Sequence, residues 1–495
     1  MSRNPKRLGV FGTVIITLVI LALIAATGFV IYLCIDLVNK EPEQTVSTEN
    51  AITLPTEEAT TAPTETTVPP TTEPPPEPET VIATATIASQ GDLLMHEPVF
   101  RTCRQNDGTY NFSSIFRYIK EYASGYDYAA VNLETTFGGD NYPYQGNPTF
   151  NCPDPLSDSV VEAGYDMLLT ANNHCSDTTA EGIKRTLEVV RGKGITALGT
   201  QMNNDEPKYA IVDVNGIKIG MLCYTYATGV AEAGRPRLNG LAAVSEVGLV
   251  NYFMDTNLPA FYSEVEQHLA AMEAEGAEAT MLFIHWGVEY QTKENEKQNT
   301  IAQALCDLGI DVIVGGHPHV VQPVELLESK VDPNHKTVCI YSLGNAVSNQ
   351  RSGYSTLFPP GYTEDGALFE VTFEKYSDGK VYLVGTDVLP TWVNMRTDIT
   401  PKEYNIVPLD DSRREEWSSA FGLTANTLPL AEKSYNRTMD IVGEGLKACQ
   451  DYLAQAKADR EQYYYDLAHN PEKFATEAAQ LPEETMAEET TLPAA

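Results

Sequence analysis

Two segments decide the fold: Thr280-Met281-Leu282-Phe283-Ile284-His285 and Asp311-Val312-Ile313-Val314-Gly315-Gly316-His317-Pro318-His319. Each is a short continuous apolar run, the mark of a strand buried on both faces. Each is preceded by helical periodicity, over 265–275 and 301–308, and each breaks off at a histidine. Working outward, the same grammar recurs. Residues 81–89 read as a strand ending at Gly91-Asp92, and 127–132 as one ending at Leu133-Glu134. Residues 165–171 run into Asn172-Asn173-His174, with an amphipathic helix over 179–193, and 337–341 end at Ser342-Leu343-Gly344-Asn345. Residues 209–224 form a hairpin turning at Asn215-Gly216, and 367–373 with 380–388 a second that closes the domain. The alternation predicts a layered α/β architecture with helices covering the sheet. Past Trp392 the pattern weakens to a helical stretch over 432–465, with Gly443 and Gly445 as candidate breaks.

The flanks have a different composition. Gly9 to Ile35 carries no charge and is dense in Val, Ile, Leu and Ala, long enough for a hydrocarbon core of ~30 Å. Arg3, Lys6 and Arg7 precede it, so the positive-inside rule keeps the N-terminus cytoplasmic and places the rest outside the cell. The expected order is a cytoplasmic tip (1–8), a transmembrane helix (9–35), a Pro/Thr/Glu-rich linker (36–80) and the α/β domain (81–395). A partly helical extension (396–470) and a disordered acidic tail (471–495) follow. The linker has almost nothing to bury and reads as an extended, polyproline-leaning stalk.

A formal net charge of −35 argues against a nucleic-acid partner, since there is no basic surface to displace phosphate counterions. Of eight cysteines, Cys34 falls in the apolar span. Cys223, Cys306 and Cys339 sit in apolar runs that suit buried free thiols. Cys103 and Cys152 lie in polar, loop-like sequence, so a disulfide between them is expected as readily as not.

The chemistry is carried by polar groups that follow apolar strands: Asp92, Glu134, Asn173, His174, His285, His317 and His319. Ligand sites of α/β sheets lie beyond the carboxyl ends of the strands, so these donors would meet in one crevice. Singly, each has a bland use as turn, cap or core residue. Jointly they point to a metal, and mixed carboxylate, amide and imidazole donors suit Mn, Fe or Zn better than Mg. Pro318 stiffens the His-Pro-His loop, and Gly315-Gly316 permits close backbone approach.

The motifs Gly91-Asp92, Asn132-Leu133-Glu134, Ala171-Asn172-Asn173-His174 with Asp177, His285-Trp286-Gly287 with Glu289-Tyr290, Gly316-His317-Pro318-His319 with Gln322, and Tyr341-Ser342-Leu343-Gly344-Asn345 resemble the capsule synthesis protein CapA family. That family includes PgsA proteins of poly-γ-glutamate synthesis. It resembles calcineurin-like metallophosphoesterases in turn, which implies a four-layer αββα sandwich of two mixed sheets between helices.

The resemblance implies roles. Asp92 and His319 would hold a first ion, Asn173, His285 and His317 a second, and Glu134 would bridge them. His174 would be the catalytic histidine, oriented by Asp177. His96, Tyr290, Gln322 and Asn345 would orient ligand or line the site. Leu94 stands where the phosphoesterase pattern has a first-strand histidine, which leaves one or two ions open. The implied function is a membrane-anchored, extracellular, metal-dependent hydrolase of capsule or poly-γ-glutamate formation. Its partners would be the membrane, an anionic cell-envelope polymer and polymer synthase subunits. The alternative is a non-catalytic scaffold or export subunit of such a synthase.

Overall fold

The computed structural model describes residues 79–240 and 243–470. The tip, the apolar span 9–35, nearly all of the linker and the acidic tail lie outside the described residues. Among those described, no helix is long and apolar enough to cross a membrane.

Two mixed sheets form the body. The strands of the first are β1 (Val81–Leu93), β2 (Tyr128–Asn132), β3 (Met167–Leu169) and β4 (Thr196–Leu198). Those of the second begin with β5 (Tyr209–Val214) and β6 (Ile217–Tyr226). A short ribbon, β7 (Gly229–Val230) and β8 (Pro236–Arg237), and then β9 (Tyr252–Phe253) follow. The second sheet continues with β10 (Ala279–His285), β11 (Val312–Gly316), β12 (Val324–Glu328) and β13 (Lys336–Ile340). The chain then returns to the first sheet with β14 (Asn345–Val347), β15 (Asp365–Tyr376), β16 (Val381–Arg396) and β17 (Glu403–Pro408).

The first sheet has the order β17-β16-β15-β1-β2-β3-β4, with β14 also paired to β1. The second runs β12-β13-β11-β10-β6-β5, with β9 on β6. β1 through β4 are parallel, as are β6, β10, β11 and β13, while antiparallel partners extend both sheets.

Alternation along the strands makes the layers. Ile87, Phe283 and Val314 point into the core between the sheets, where Met221 and Val371 join them. Their neighbours point the other way. Ala88 and Val131 pack with Phe100 of α1 (Glu97–Thr102), Leu156 and Val160 of α2 (Pro155–Glu162) and Val190 of α3 (Thr179–Gly192). Leu282 and Ile313 pack under Phe261 and Val265 of α4 (Leu258–Ala274) and Ile301 and Leu305 of α5 (Glu296–Asp307). Burial on both faces is why these strands read as unbroken apolar runs. Each such side chain contributes about 1.5–3 kcal/mol relative to exposure.

The C-terminal part is built into the body. The boundary read at 395 cuts into β16, and β17 beyond it is the edge of the first sheet. The helix that follows, α6 (Leu428–His469), runs without a break through Gly443 and Gly445. Its stripe Val442, Leu446, Cys449 and Leu453 enters the core between the sheets, at the three- and four-residue spacing that aligns one helix face. Gly445 is there for closeness: a Cβ would lie 1.7 Å from the Val324 carbonyl oxygen of β12.

The disulfide reading needs correction. Cys103 and Cys152 are both free thiols buried in the apolar layer outside the first sheet, where burial pushes the Cys152 thiol well up. Their flanking polar residues hid that burial. Cys223, Cys306 and Cys339 are buried and free.

Candidate metal centre

The carboxyl ends of the parallel strands from both sheets meet at one place. Asp92, near the end of β1, stands in register with Asn132 of β2 on one side and Asn345 of β14 on the other. In the second sheet His285 is the last residue of β10 and pairs with Gly316 of β11. A Cβ on Gly316 would sit 3.3 Å from Asp92 Oδ1 and 3.5 Å from His285 Nδ1, so the glycine lets the two sheets' strand ends close on each other. The chain then turns through His317 and His319 at φ 95° and 56°. Left-handed conformations at residues with side chains cost of order 1–3 kcal/mol each and cluster at functional sites.

The side chains converge. Asp92 accepts from Asn132 Nδ2 at 2.7 Å and lies 3.1 Å from His319 Nδ1. Glu134 Oε1 is 3.4 Å from His285 Nε2, and its Oε2 is 3.8 Å from His319 Nδ1. Asn173 Oδ1 is 2.8 Å from His285 Nε2. The rings of His285 and His317 are 4.9 Å apart. Two sets of donor atoms, Asp92/Glu134/His319 and Glu134/His285/His317, each fall within 4.8 Å of one another, and all their members are buried.

These residues fit a cation. Both Glu134 oxygens and His317 Nδ1 are buried with no hydrogen-bond partner. An unpaired buried carboxylate is among the costliest groups a fold can carry. Burial, reinforced by the charges of Asp92 and Glu289, pushes the Glu134 carboxyl well above its ordinary range. Burial holds His285 down to about 3 and His317 well below the usual imidazole value, aided by the neighbouring imidazoles. Burial also pushes Asp92 up, but the hydrogen bond and charge of His319 outweigh it and keep this carboxyl low. Neutral imidazoles with free lone pairs around buried carboxylates form a donor set that a divalent ion would satisfy.

His174 stands beside this nest. Its Nδ1 is 2.7 Å from Asp177 Oδ2, which also accepts from the Phe150 amide at 2.6 Å. The His174 ring meets Phe150 edge-on at 4.5 Å. A cleft of about 710 Å³ opens next to the nest, lined by Tyr226, Phe253, Trp286, Val288, Lys297 and Gln298. Tyr226 joins the two, its ring 4.8 Å from that of His317.

A family model described as bacterial capsule synthesis protein PGA_cap matches residues 86–350, more than half of the chain. The chain belongs to that family. Every donor of the nest lies inside the matched segment. The chain is also similar to the PGA biosynthesis protein CapA of Bacillus subtilis (strain 168), 28% identical over 303 residues. That alignment covers 60% of this chain and 70% of the relative. The capsule biosynthesis protein CapA of Bacillus anthracis is 28% identical over 312 residues, covering 62% of this chain and 66% of that protein. Among solved structures, a Thermus thermophilus sulfate thiohydrolase SoxB overlaps 61% of this chain and 43% of its own at 16% identity and a TM-score of 0.30. The protein TT1561 of Thermus thermophilus overlaps 58% and 94% at 9% identity and a TM-score of 0.27.

Other residues singled out from sequence have different places. Asn345 donates to the His319 and Thr363 carbonyls and to Gln350, which fixes the backbone of His319. Gln322 donates to the carbonyls of Gln291 and Lys293 and so holds the loop after β10. Tyr290 donates its amide to Pro318 and lays its ring 6.2 Å from that of His319. His96 is half-buried, accepts from the Asn349 amide at 3.3 Å, and belongs to neither donor set. Sequence reasoning quoted Asn132 and Asn172 only within motifs and gave them no role, though they are linked at 3.1 Å behind Asp92, and it missed Asn239, which donates to the Asn173 carbonyl. Strand-end asparagines look like turn residues, and Asn239 is distant in sequence from any motif.

Proposed function

We propose that the chain is a metal-dependent phosphoesterase-type hydrolase serving capsule or poly-γ-glutamate polymer formation. Its domain would be held outside the cell by the apolar span 9–35, near an anionic polymer and its synthase. One observation carries the hydrolytic part: the Glu134 carboxylate, buried without a hydrogen bond among His285, His317 and His319. Membership of the capsule synthesis family supports the process.

Asp92, Glu134, Asn173, His285, His317 and His319 would hold one or two Mn, Fe or Zn ions. Bound there, the ions would neutralise phosphoryl oxygens and lower the pKa of water. The chain's own residues do the rest. Asp177 engages His174 Nδ1, which leaves Nε2 as the nitrogen for proton donation to a leaving oxygen. Phe150 fixes the plane of that ring. The 710 Å³ cleft beside Tyr226 gives room for the body of a substrate.

Elemental analysis and phosphodiesterase assay of the purified full-length chain test this. Bound Mn, Fe or Zn, metal-stimulated turnover of bis-p-nitrophenyl phosphate, and loss of both in His285→Ala are expected. A chain that takes up none of these metals would end the hydrolytic reading.

The scaffold reading has one observation in its favour: Leu94, fully apolar and buried, sits two residues after Asp92 and offers no donor. It predicts that a folded His317→Ala, His319→Ala double variant still supports polymer production. Loss of production would exclude it.

A further inference from the structure

Glu289 lies on the rim of the nest, its side chain exposed, in the loop between β10 and α5. Sequence reading assigned it no role. Yet its carboxylate and nitrogens of His317 and His319 all come within 4.8 Å of one another. This is a third donor set, and it holds the rim's carboxylate.

Its placement is built. Gly287 takes φ 86° and Tyr290 φ 67°, which turns the loop back over the strand ends. The Tyr290 amide then donates to the Pro318 carbonyl at 2.7 Å, tying the loop to the middle of His-Pro-His. Gln322 grips the same loop through Gln291 and Lys293 at 2.7 and 3.0 Å. Gln322 is itself held by Gln298 of α5 at 2.8 Å. Glu289 therefore keeps station over the two histidines by backbone geometry and does not depend on a mobile side chain alone.

Electrostatics point the same way. The carboxylate of Glu289 adds to the negative field on Glu134 and, after burial, helps raise the Tyr290 hydroxyl. Asp92 and Glu134 face His285 and His319, and with Glu289 beside them three carboxylates share one small volume. His317 Nδ1 is buried and unpartnered beside them. Like charges so placed repel unless a cation lies between them.

We propose that Glu289, His317 and His319 form a rim position for a divalent transition ion, distinct from the wholly buried Glu134/His285/His317 position. This rests on the metal-centre reading above and deepens it. The buried position has donors closed off from water, so an ion held there would exchange slowly. The rim position would have one exposed carboxylate ligand, so an ion held there would exchange with solvent more readily and leave the side nearest Glu289 open to a substrate oxygen.

Calorimetric titration of the metal-stripped full-length chain with MnCl2 and ZnCl2, for the wild type, Glu289→Gln and His285→Ala, tests it. Two classes of site are expected in the wild type. Glu289→Gln should weaken only the faster-exchanging class, by about tenfold or more, and speed metal release to a chelator. His285→Ala should weaken the other class. The Glu289 side chain is exposed, so the metal-free melting temperature of Glu289→Gln should match the wild type and exclude misfolding as the cause. A Glu289→Gln isotherm superimposable on the wild type overturns the rim position while leaving the buried one standing. A wild type that binds no divalent ion overturns both.

Discussion

Asp365 accepts from Ser434 and Arg437, and Asp311 accepts from the Thr280 amide and hydroxyl. Glu134, fully buried, accepts from nothing. A fold keeps such a group only where something else compensates, so removing its charge should separate stability from binding. Glu134→Gln is expected to stabilise the metal-free chain by about 1–3 kcal/mol, and to abolish the rise in melting temperature that added Mn or Zn gives the wild type. Thermal unfolding with and without metal checks this. At this scale the sequence was readable wherever a polar residue ended an apolar run, which is how Asp92, Glu134, His285 and His317 could be picked out. It was silent where proximity comes from tertiary contact. Glu289 gains its place through a loop bond to Pro318, and Asn132 through a bulge in the β1–β2 register. Polar neighbours misplaced Cys103 and Cys152 because loop-like sequence can still lie beneath helices.

Single elements carry their own tests. The glycines of α6 read as helix breakers, since propensity alone disfavours them. Packing outweighs that propensity, because Gly445 lets the helix touch β12. Gly445→Ala, which improves helix propensity, should nonetheless destabilise the chain by about 1–3 kcal/mol through overpacking, measurable by denaturant unfolding. On α4, Glu264 accepts from Lys208 Nζ at 2.8 Å and from the Tyr224 hydroxyl at 3.2 Å, with His268 3.6 Å away. Burial pushes this carboxyl up, but His268 and Lys208 overcome it and hold it at about 2, below its ordinary 4.5. Because the folded value is depressed, the stabilisation is full above pH 4.5 and lost as pH falls from there towards 2. Glu264→Gln should therefore lower the melting temperature at pH 7 and flatten its acid dependence across that window. Strands β4 and β14 escaped sequence reading because they are three residues long, and β12 because two of its five residues are exposed glutamates, whereas the longer parallel strands stood out because both their faces are buried.

At the scale of the molecule, the nest draws donors from both sheets, Asp92 and Glu134 from the first and His285, His317 and His319 from the second. Metal should therefore stabilise the whole unit cooperatively. At a hundred times its dissociation constant, an ion should add about 2.7 kcal/mol to unfolding, an increment that His317→Ala removes. The layered α/β class was legible from alternating strands and helices. The two-sheet division came from the family resemblance and not from the strand pattern, because sheet order depends on which strand ends meet, and no single segment records that.

A relay of bonds also runs from α6 to the nest. Arg437 grips Asp365 and the Gly361 carbonyl, and Asn345 then ties the Thr363 carbonyl to that of His319. Thermodynamic reciprocity gives this a consequence: whatever factor helix docking contributes to ion affinity, the ion must return to helix docking. Amide hydrogens along the C-terminal helix should thus exchange more slowly once zinc or manganese is added. A lesion confined to that helix, remote from every ligand, would present as a protein starved of metal.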